Sequence, residues 1–146
     1  MEFILTVITI CHNAKKMLEM TSDSLICQES INFQWIVIDG NSVDGTQNII
    51  PNYKRKCDLF ISEPDDGIYD AMNKGLRYAK GEYVLFLNAG DTLYNSKTLN
   101  SINFSINKDL IVGDLYFRQK RVHNKSPEKL QKNFLLSKML PHQATF

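Results

Sequence analysis

Glu63-Pro64-Asp65-Asp66-Gly67-Ile68-Tyr69-Asp70-Ala71-Met72-Asn73-Lys74-Gly75 and, a little further on, Tyr83-Val84-Leu85-Phe86-Leu87-Asn88-Ala89-Gly90-Asp91 read as an acidic turn, a helix, a buried strand and a second acidic turn. Over residues 67–80, Ile68, Met72, Leu76 and Ala79 recur at helical spacing, while Asp70, Asn73, Lys74 and Arg77 fall on other faces. The spacing predicts a helix with Asp66 as N-cap, an Asp70–Lys74 pair in the favourable orientation, and Lys80-Gly81 as its stop. The strand over residues 83–87 is apolar at every position, the pattern of a parallel strand covered on both faces. Its carboxyl end opens into Asn88-Ala89-Gly90-Asp91, and carboxyl ends are where open α/β sheets place their ligands.

The flanking chain alternates strand and helix. Residues 3–10 are apolar and β-branched, hence a buried strand closed by His12-Asn13, and a helix is predicted over 14–29 with Met17, Leu18, Leu25 and Ile26 as its apolar positions. A strand over 33–38 ends at Asp39-Gly40-Asn41-Ser42, and Asp44 can cap a helix reaching about residue 53. Residues 59–62 form a short third strand, 83–87 the fourth, and 110–117 a fifth interrupted by Gly113-Asp114. Residues 96–105 are a weak helix candidate, and Ser126-Pro127-Glu128 has the composition of another helix start, with Leu130, Phe134 and Leu135 as its buried side. This alternation predicts an α/β layer with a mostly parallel sheet flanked by helices.

Composition bounds the rest. At 146 residues, 43% hydrophobic and 23% charged, the chain fits one globular domain, residues 1–146, with a real core. A formal net charge of +1 excludes a protein that coats nucleic acid through general basicity, yet the charge is unevenly spread: residues 1–114 carry 10 Lys/Arg against 15 Asp/Glu, and residues 115–146 carry 7 against 1. The basic stretch is either a solvated helix face or a surface for an anionic partner. Cys11, Cys27 and Cys57 are odd in number and lack a Cys-x-x-Cys pair, which points away from disulfides and zinc and towards a reducing, cytoplasmic location. The apolar start has Glu2 where a signal peptide would be basic, and it is far short of the roughly 20 residues of a membrane span.

There is no Gly-x-Gly-x-x-Gly after the first strand and no Gly-Lys-Ser/Thr loop, which weakens dinucleotide and P-loop chemistry. The strand ends carry Asn13, Asp39, the Glu63–Asp66 cluster, Asn88 and Asp91 instead. Each aspartate taken alone reads equally well as a turn or cap residue. Together, at successive strand ends, they suit a divalent cation, Mg²⁺ or Mn²⁺, lying between carboxylates and the phosphates of a nucleotide.

Four segments in this order resemble the family 2 glycosyltransferases of GT-A fold, the Rossmann-like nucleotide-diphospho-sugar transferases: Val7-Ile8-Thr9 leading to Asn13; Ile36 through Asp39-Gly40-Asn41-Ser42 to Asp44-Gly45-Thr46; Asp66 through Gly75; and Gly81 through Asp91. Pro141-His142-Gln143-Ala144 is similar to a segment of the bacterial polysaccharide-biosynthesis branch. The resemblance implies that residues 1–92 are the nucleotide-sugar-binding half and residues 93–146 the beginning of an acceptor-side region. It implies that Thr9, Asn13 and Asp39 hold the nucleotide, Asp39 accepting a hydrogen bond from a uracil or thymine base. Asp66, Asn73 and Lys74 would border nucleotide and sugar, with Gly67 and Gly75 permitting close approach. Asp91 would ligate the metal, joined by Asn88.

Two departures from the family pattern stand out. Asn88 replaces the usual Asp of the metal turn and Gly90 replaces a frequent second acid, leaving Asp91 as its single carboxylate. The chain also reaches Phe146 before the acceptor region that commonly supplies a catalytic base; Asp114 and His142 are the weak substitutes at hand. The implied activity is a metal-dependent, inverting transfer of sugar from a UDP- or dTDP-linked donor to a glycan or lipid-linked acceptor in surface polysaccharide assembly. Residues 118–138 could then meet a lipid diphosphate or the inner face of the membrane. The alternatives are a truncated domain or subunit that binds nucleotide-sugar without turning it over and, third, a nucleotidyltransferase, for which Cys11-His12-Asn13-Ala14-Lys15-Lys16 has the lysines but no glycine.

Overall fold

The computed structural model describes residues 3–29, 31–50, 57–104, 111, 113–117 and 122–124. In chain order these form β1 (Leu5–Cys11), α1 (Lys15–Ile26), β2 (Phe33–Asp39), β3 (Leu59–Ser62), α2 (Ile68–Leu76), β4 (Tyr83–Phe86), β5 (Leu115–Phe117) and β6 (Val122–Asn124). Strands β3-β2-β1-β4 make one sheet in that order, and all three pairings are parallel.

The period of two in β1 and β2 sorts their side chains between two cores. Leu5, Val7, Trp35 and Val37 face Leu18 and Leu25 of α1, together with Leu85, Leu87 and Leu99. Ile8, Ile10, Ile36 and Ile38 face Ala71 and Met72 of α2. Because both faces are covered, β1 and β2 are buried at every position, and their sequences are apolar runs rather than alternations. Gly75 lets α2 lie close on the sheet, since a Cβ there would sit 2.6 Å from Ile8 Cγ2. Its missing side chain therefore serves helix–sheet packing.

A buried polar knot closes the amino end of the sheet. Gln34, 4% exposed, accepts hydrogen bonds at Oε1 from the Thr6 hydroxyl (2.8 Å) and Lys80 N–H (2.8 Å), and its amide donates to Tyr78 O (3.1 Å). The turn between α2 and β4 is thereby fixed to β1 and β2, which sets where β4 enters.

Several expected elements differ. Helix α1 ends at Ile26, and α2 runs from Ile68 to Leu76 with Gly67, not Asp66, at the N-cap. Gly67 has φ 107° and donates its N–H to Asp65 Oδ1 (2.9 Å), while Asp70 Oδ2 accepts the N–H of Asp66 (3.2 Å). Asp66 therefore does not cap the helix, and the Asp65 bond closes the turn before it. The helix expected after Asp44 is, in its described part, a 3₁₀ turn, Thr46–Asn48, and the one expected over 96–105 is a 3₁₀ turn, Leu99–Ser101. Asn95 opens the latter by accepting the Lys97 N–H, a local bond that competes with a regular helix. The fifth strand is not a member of the parallel sheet: β5 pairs antiparallel with β6, Leu115 opposite Asn124. Gly113-Asp114 breaks the run before it, and a short hairpin results. The basic residues 118–121 and 125–138, the helix expected from Ser126, and His142 lie outside the described residues. Among the described residues, no helix is long and apolar enough to cross a membrane.

The knot yields a stability prediction. Gln34→Leu keeps the volume but removes the donor to Tyr78 O and the acceptor shared by Lys80 N–H and the Thr6 hydroxyl, leaving Lys80 N–H only its longer bond to Thr6 Oγ1 (3.2 Å), and the expected loss is about 2 kcal/mol. Urea denaturation of the two proteins measures it.

Candidate functional site

Strand order places β1 at a switch point: the chain steps from β1 to β2 to β3 on one side, then returns to pair β4 on the other. The β1 loop leads into α1, and the chain leaving β4 lies against that same helix, so the two turns stand side by side at the carboxyl edge. The turns at His12-Asn13, Asp39–Ser42, Glu63–Gly67 and Asn88–Asp91 all lie along this edge.

Asp39 is its buried centre, 0% exposed. Its Oδ2 accepts the Ser42 N–H (3.0 Å) and the Ser62 hydroxyl (2.7 Å), and its Oδ1 accepts the Ser42 hydroxyl and the Cys11 thiol (3.6 Å). Four donors from three strand ends therefore fill the roughly four acceptor positions of one carboxylate. Asp39 holds the turn together through its own side chain. Burial, followed by the Asp39 charge, pushes the Cys11 thiol well above its ordinary range and makes it an inert core group.

The same turn caps α1 from outside. Ser42 Oγ accepts the N–H of Asn13 (2.7 Å), Thr46 Oγ1 that of Ala14 (3.0 Å) and Asp44 Oδ2 that of Lys15 (3.2 Å). Ala14, in the N-cap position, makes no side-chain cap of its own. The Thr46 hydroxyl, backed by main-chain N–H groups, draws the Asp44 carboxyl below its usual range. Asn13, in the left-handed region at φ 48°, returns the contact by accepting the Val43 N–H at Oδ1 (2.9 Å). Its amide lies 3.0 Å from His12 Nε2, and His12 Nδ1 lies 2.7 Å from Gly40 O. Since a carbonyl only accepts, that Nδ1 carries a proton and Nε2 is the acceptor. In the sequence His12 reads only as a strand end and Asp65 only as one of the Glu63–Asp66 cluster; Asp65 Oδ2 would lie 2.6 Å from a Cβ at Gly40.

Thr9 is fully buried, and its hydroxyl accepts the Trp35 indole N–H (3.1 Å), so its side chain belongs to the core. The Lys74 ammonium is engaged by Pro64 O (2.6 Å), Glu63 Oε1 (3.0 Å) and Asp70 Oδ2 (3.2 Å). These three acceptors match its three donors and strap the loop after β3 onto α2. Glu63, then Asp70, raises the Lys74 pKa. Asp66 and Asn73 are exposed on this loop and helix. Asp114 is exposed beside β5, apart from the parallel sheet.

Asn88–Asp91 is a closed turn: Asp91 N–H donates to Asn88 O (2.9 Å), and Gly90 has φ 101°, the conformation that the third residue of a type II turn requires. An acid at position 90 would be strained there. Helix α1 and the residues just after it serve as a rail for the chain beyond: Thr21 bonds Gly90 and Asp91, Ser24 accepts the Leu93 N–H (3.3 Å), and Gln28, two residues past the helix, bonds Asn95 O (2.7 Å) and Leu99 N–H (3.1 Å). Thr21 and Ser24 were not singled out in the sequence, where each reads as a small helix residue. Among the described residues, no group of three or more His, Cys, Asp or Glu side chains could hold a metal by itself. One carboxylate and one amide in the 88–91 turn are hard oxygen donors, and they fit a cation that draws its remaining ligands from phosphate and water.

The strap has a pH signature. The Asp66 N–H, followed by Lys74, holds the Asp70 carboxyl below its ordinary value of 3.8. A depressed carboxyl contributes stability above its unfolded value and loses it as the pH falls through the folded one, so this contribution is complete at neutral pH and fades below about pH 4. In Lys74→Met the Asp70 titration, followed by NMR, moves up towards 3.8 without reaching it, because the Asp66 N–H remains.

The family profile described as glycosyl transferase family 2 matches residues 6–146. A PGL/p-HBAD biosynthesis glycosyltransferase of Mycobacterium bovis is 32% identical over 142 residues, covering 92% of this chain and 55% of the relative. TuaG of Bacillus subtilis, provisionally assigned to teichuronic acid biosynthesis, is 30% identical over 108 residues, covering 72% of this chain and 43% of its own. The chain spans about half the length of such relatives. Among solved structures, S. aureus TarS 1–349 in complex with UDP-GlcNAc superimposes with a TM-score of 0.60 at 30% identity over 66% of this chain and 29% of that one. The mannosyltransferase PcManGT of Pyrobaculum calidifontis, in complex with GDP-Man and Mn²⁺, gives 0.66 at 24% over 80% and 35%, a likeness of fold. The parallel sheet with its flanking helices is the GT-A fold, and the chain belongs to glycosyl transferase family 2.

Proposed function

We propose that this chain carries the donor site of a glycosyltransferase that moves a sugar from a UDP- or dTDP-linked donor to a glycan or lipid-linked acceptor in surface polysaccharide assembly. The observation that carries this reading is that the Asn13, Asp39, Glu63–Gly67 and Asn88–Asp91 turns lie together along the carboxyl edge of the parallel sheet. Likeness to a protein bound to UDP-GlcNAc supports a uridine donor. In this reading Asp39 acts through the turn it holds, since its acceptor positions are filled; Asn13 and the main chain beside Thr9 form the wall for the base. Asp66, Asn73 and the loop strapped by Lys74 border the sugar.

The capped start of α1 also favours a divalent cation. Amides leading into α1, of the kind that in other α/β proteins receive phosphate, are taken by Ser42, Thr46 and Asp44. A diphosphate beside an acidic rim needs positive charge from elsewhere. Asp91, with Asn88, would hold Mn²⁺ or Mg²⁺, which when bound neutralises the diphosphate. Transfer proceeds with inversion: an acceptor hydroxyl attacks the anomeric carbon, its proton passes to a general base, and the nucleoside diphosphate departs with the bonding electron pair. Asp114 and His142 remain the residues to examine as that base. The reaction takes place on the cytoplasmic side, with the basic residues 118–138 towards the membrane.

Calorimetric titration with UDP and dTDP, with and without Mn²⁺, tests the donor site. Binding strengthened by Mn²⁺ is expected, with affinity falling about tenfold in Asp91→Asn. Absence of binding by a folded chain overturns the proposal. Binding of UDP-sugars without release of UDP would leave a donor-binding domain in place of a transferase.

A further inference from the structure

Thr21 lies in the middle of α1, is fully buried, and has its hydroxyl beside four main-chain groups. It accepts the Gly90 N–H at 2.9 Å. Three carbonyls compete for its single proton: Met17 O at 3.2 Å, Asn88 O at 3.3 Å and Asp91 O at 2.8 Å. A helical threonine commonly bonds back to the carbonyl four residues earlier, here Met17. The shorter distance to Asp91 O makes the inter-element bond the principal one.

The consequence is geometric. Asp91 is held at its N–H by Asn88 O and at its carbonyl by Thr21, while Gly90 N–H is shared between Thr21 Oγ1 and Met17 O (3.2 Å). The backbone from which the Asp91 carboxylate projects is therefore fixed to α1, leaving only side-chain torsions to adjust. A site that keeps a single carboxylate in its turn depends strongly on where that carboxylate stands, because no second acid compensates for misplacement.

We propose that Thr21 is the positioning residue of the donor site: its hydroxyl sets the placement of the Asn88–Asp91 turn and, through it, the affinity for a divalent cation together with nucleoside diphosphate. This rests on the role given to Asp91 above. Nothing in the sequence pattern marks the residue, since a threonine on the inner face of an amphipathic helix reads as a small core residue.

The test measures Mn²⁺ binding directly, by the loss of the free-ion EPR signal in the presence of UDP, alongside thermal unfolding. Thr21→Val keeps the branched shape and removes the hydroxyl; Thr21→Ser keeps the hydroxyl and removes the methyl. Loss of an outer partner of this kind costs about tenfold in metal affinity, and that loss is expected in Thr21→Val, with wild-type affinity in Thr21→Ser even where its melting temperature falls. Thr21→Ala reads the same quantity if the valine variant does not fold. A purely structural role would lower the melting temperature of the hydroxyl-less variants and leave their Mn²⁺ affinity at the wild-type value, and that result overturns the proposal. Asp91→Asn separates the two readings. If it leaves Mn²⁺ binding unchanged, the metal role of the turn itself fails; if it weakens binding while Thr21→Val does not, only the role of Thr21 fails.

Discussion

The carboxyl edge of this protein depends on one buried charge. A carboxylate withdrawn from water is costly unless its acceptor positions are filled, and Asp39 fills them from three strand ends through Cys11, Ser42 and Ser62. Ser42 then passes the constraint on by accepting the Asn13 N–H. A hydroxyl that donates to a carboxylate and accepts from an amide is polarised at both ends, so the two bonds strengthen each other. Through this chain β1, β2 and β3 end in one rigid unit, and the start of α1 is built into it.

The two remaining turns are held by other means. The loop after β3 is tied to α2 by the Lys74 ammonium, an exposed ionic strap with little energetic weight but with its three donors fully directed. The turn after β4 is carried by α1 through Thr21 and its neighbours, in a buried setting where each hydrogen bond counts for more. Helix α1 is thus the common mount: its first turn is capped by the turn after β2, and its buried face holds the turn after β4. The turns after β2 and β4 share one rigid element, an arrangement that keeps their separation constant.

Much of this was legible in the chain. Continuous apolar runs over residues 3–10 and 33–38 gave buried parallel strands because both faces meet a helix. The period of Ile68, Met72, Leu76 and Ala79 gave the helix α2 but not its inner face, which is the small surface of Ala71, Met72 and Gly75, while Ile68 and Leu76, like Met17 of α1, are exposed. The polar residues at the strand ends lie together along the carboxyl edge of the sheet. Short elements were less legible: residues 96–105 and 110–117 lack a decisive period, and local Asn and Gly chemistry turned them into a 3₁₀ turn and a hairpin.

The sequence by itself determined the α/β layer with its buried parallel strands and the set of polar residues at the strand ends, because periodicity and strand-end chemistry are local properties; the division into two cores came with the packing of the helices. Only the tertiary structure decided what each polar residue does. Asp39 turned inward to satisfy hydroxyls, the Thr9 side chain joined the core, Lys74 became a strap, and Thr21, silent in the sequence, became the support of Asp91. A side chain's partners come from strands and helices far along the chain, and hydrogen bonds between them form only once the sheet has brought those ends within 3 Å or so of one another.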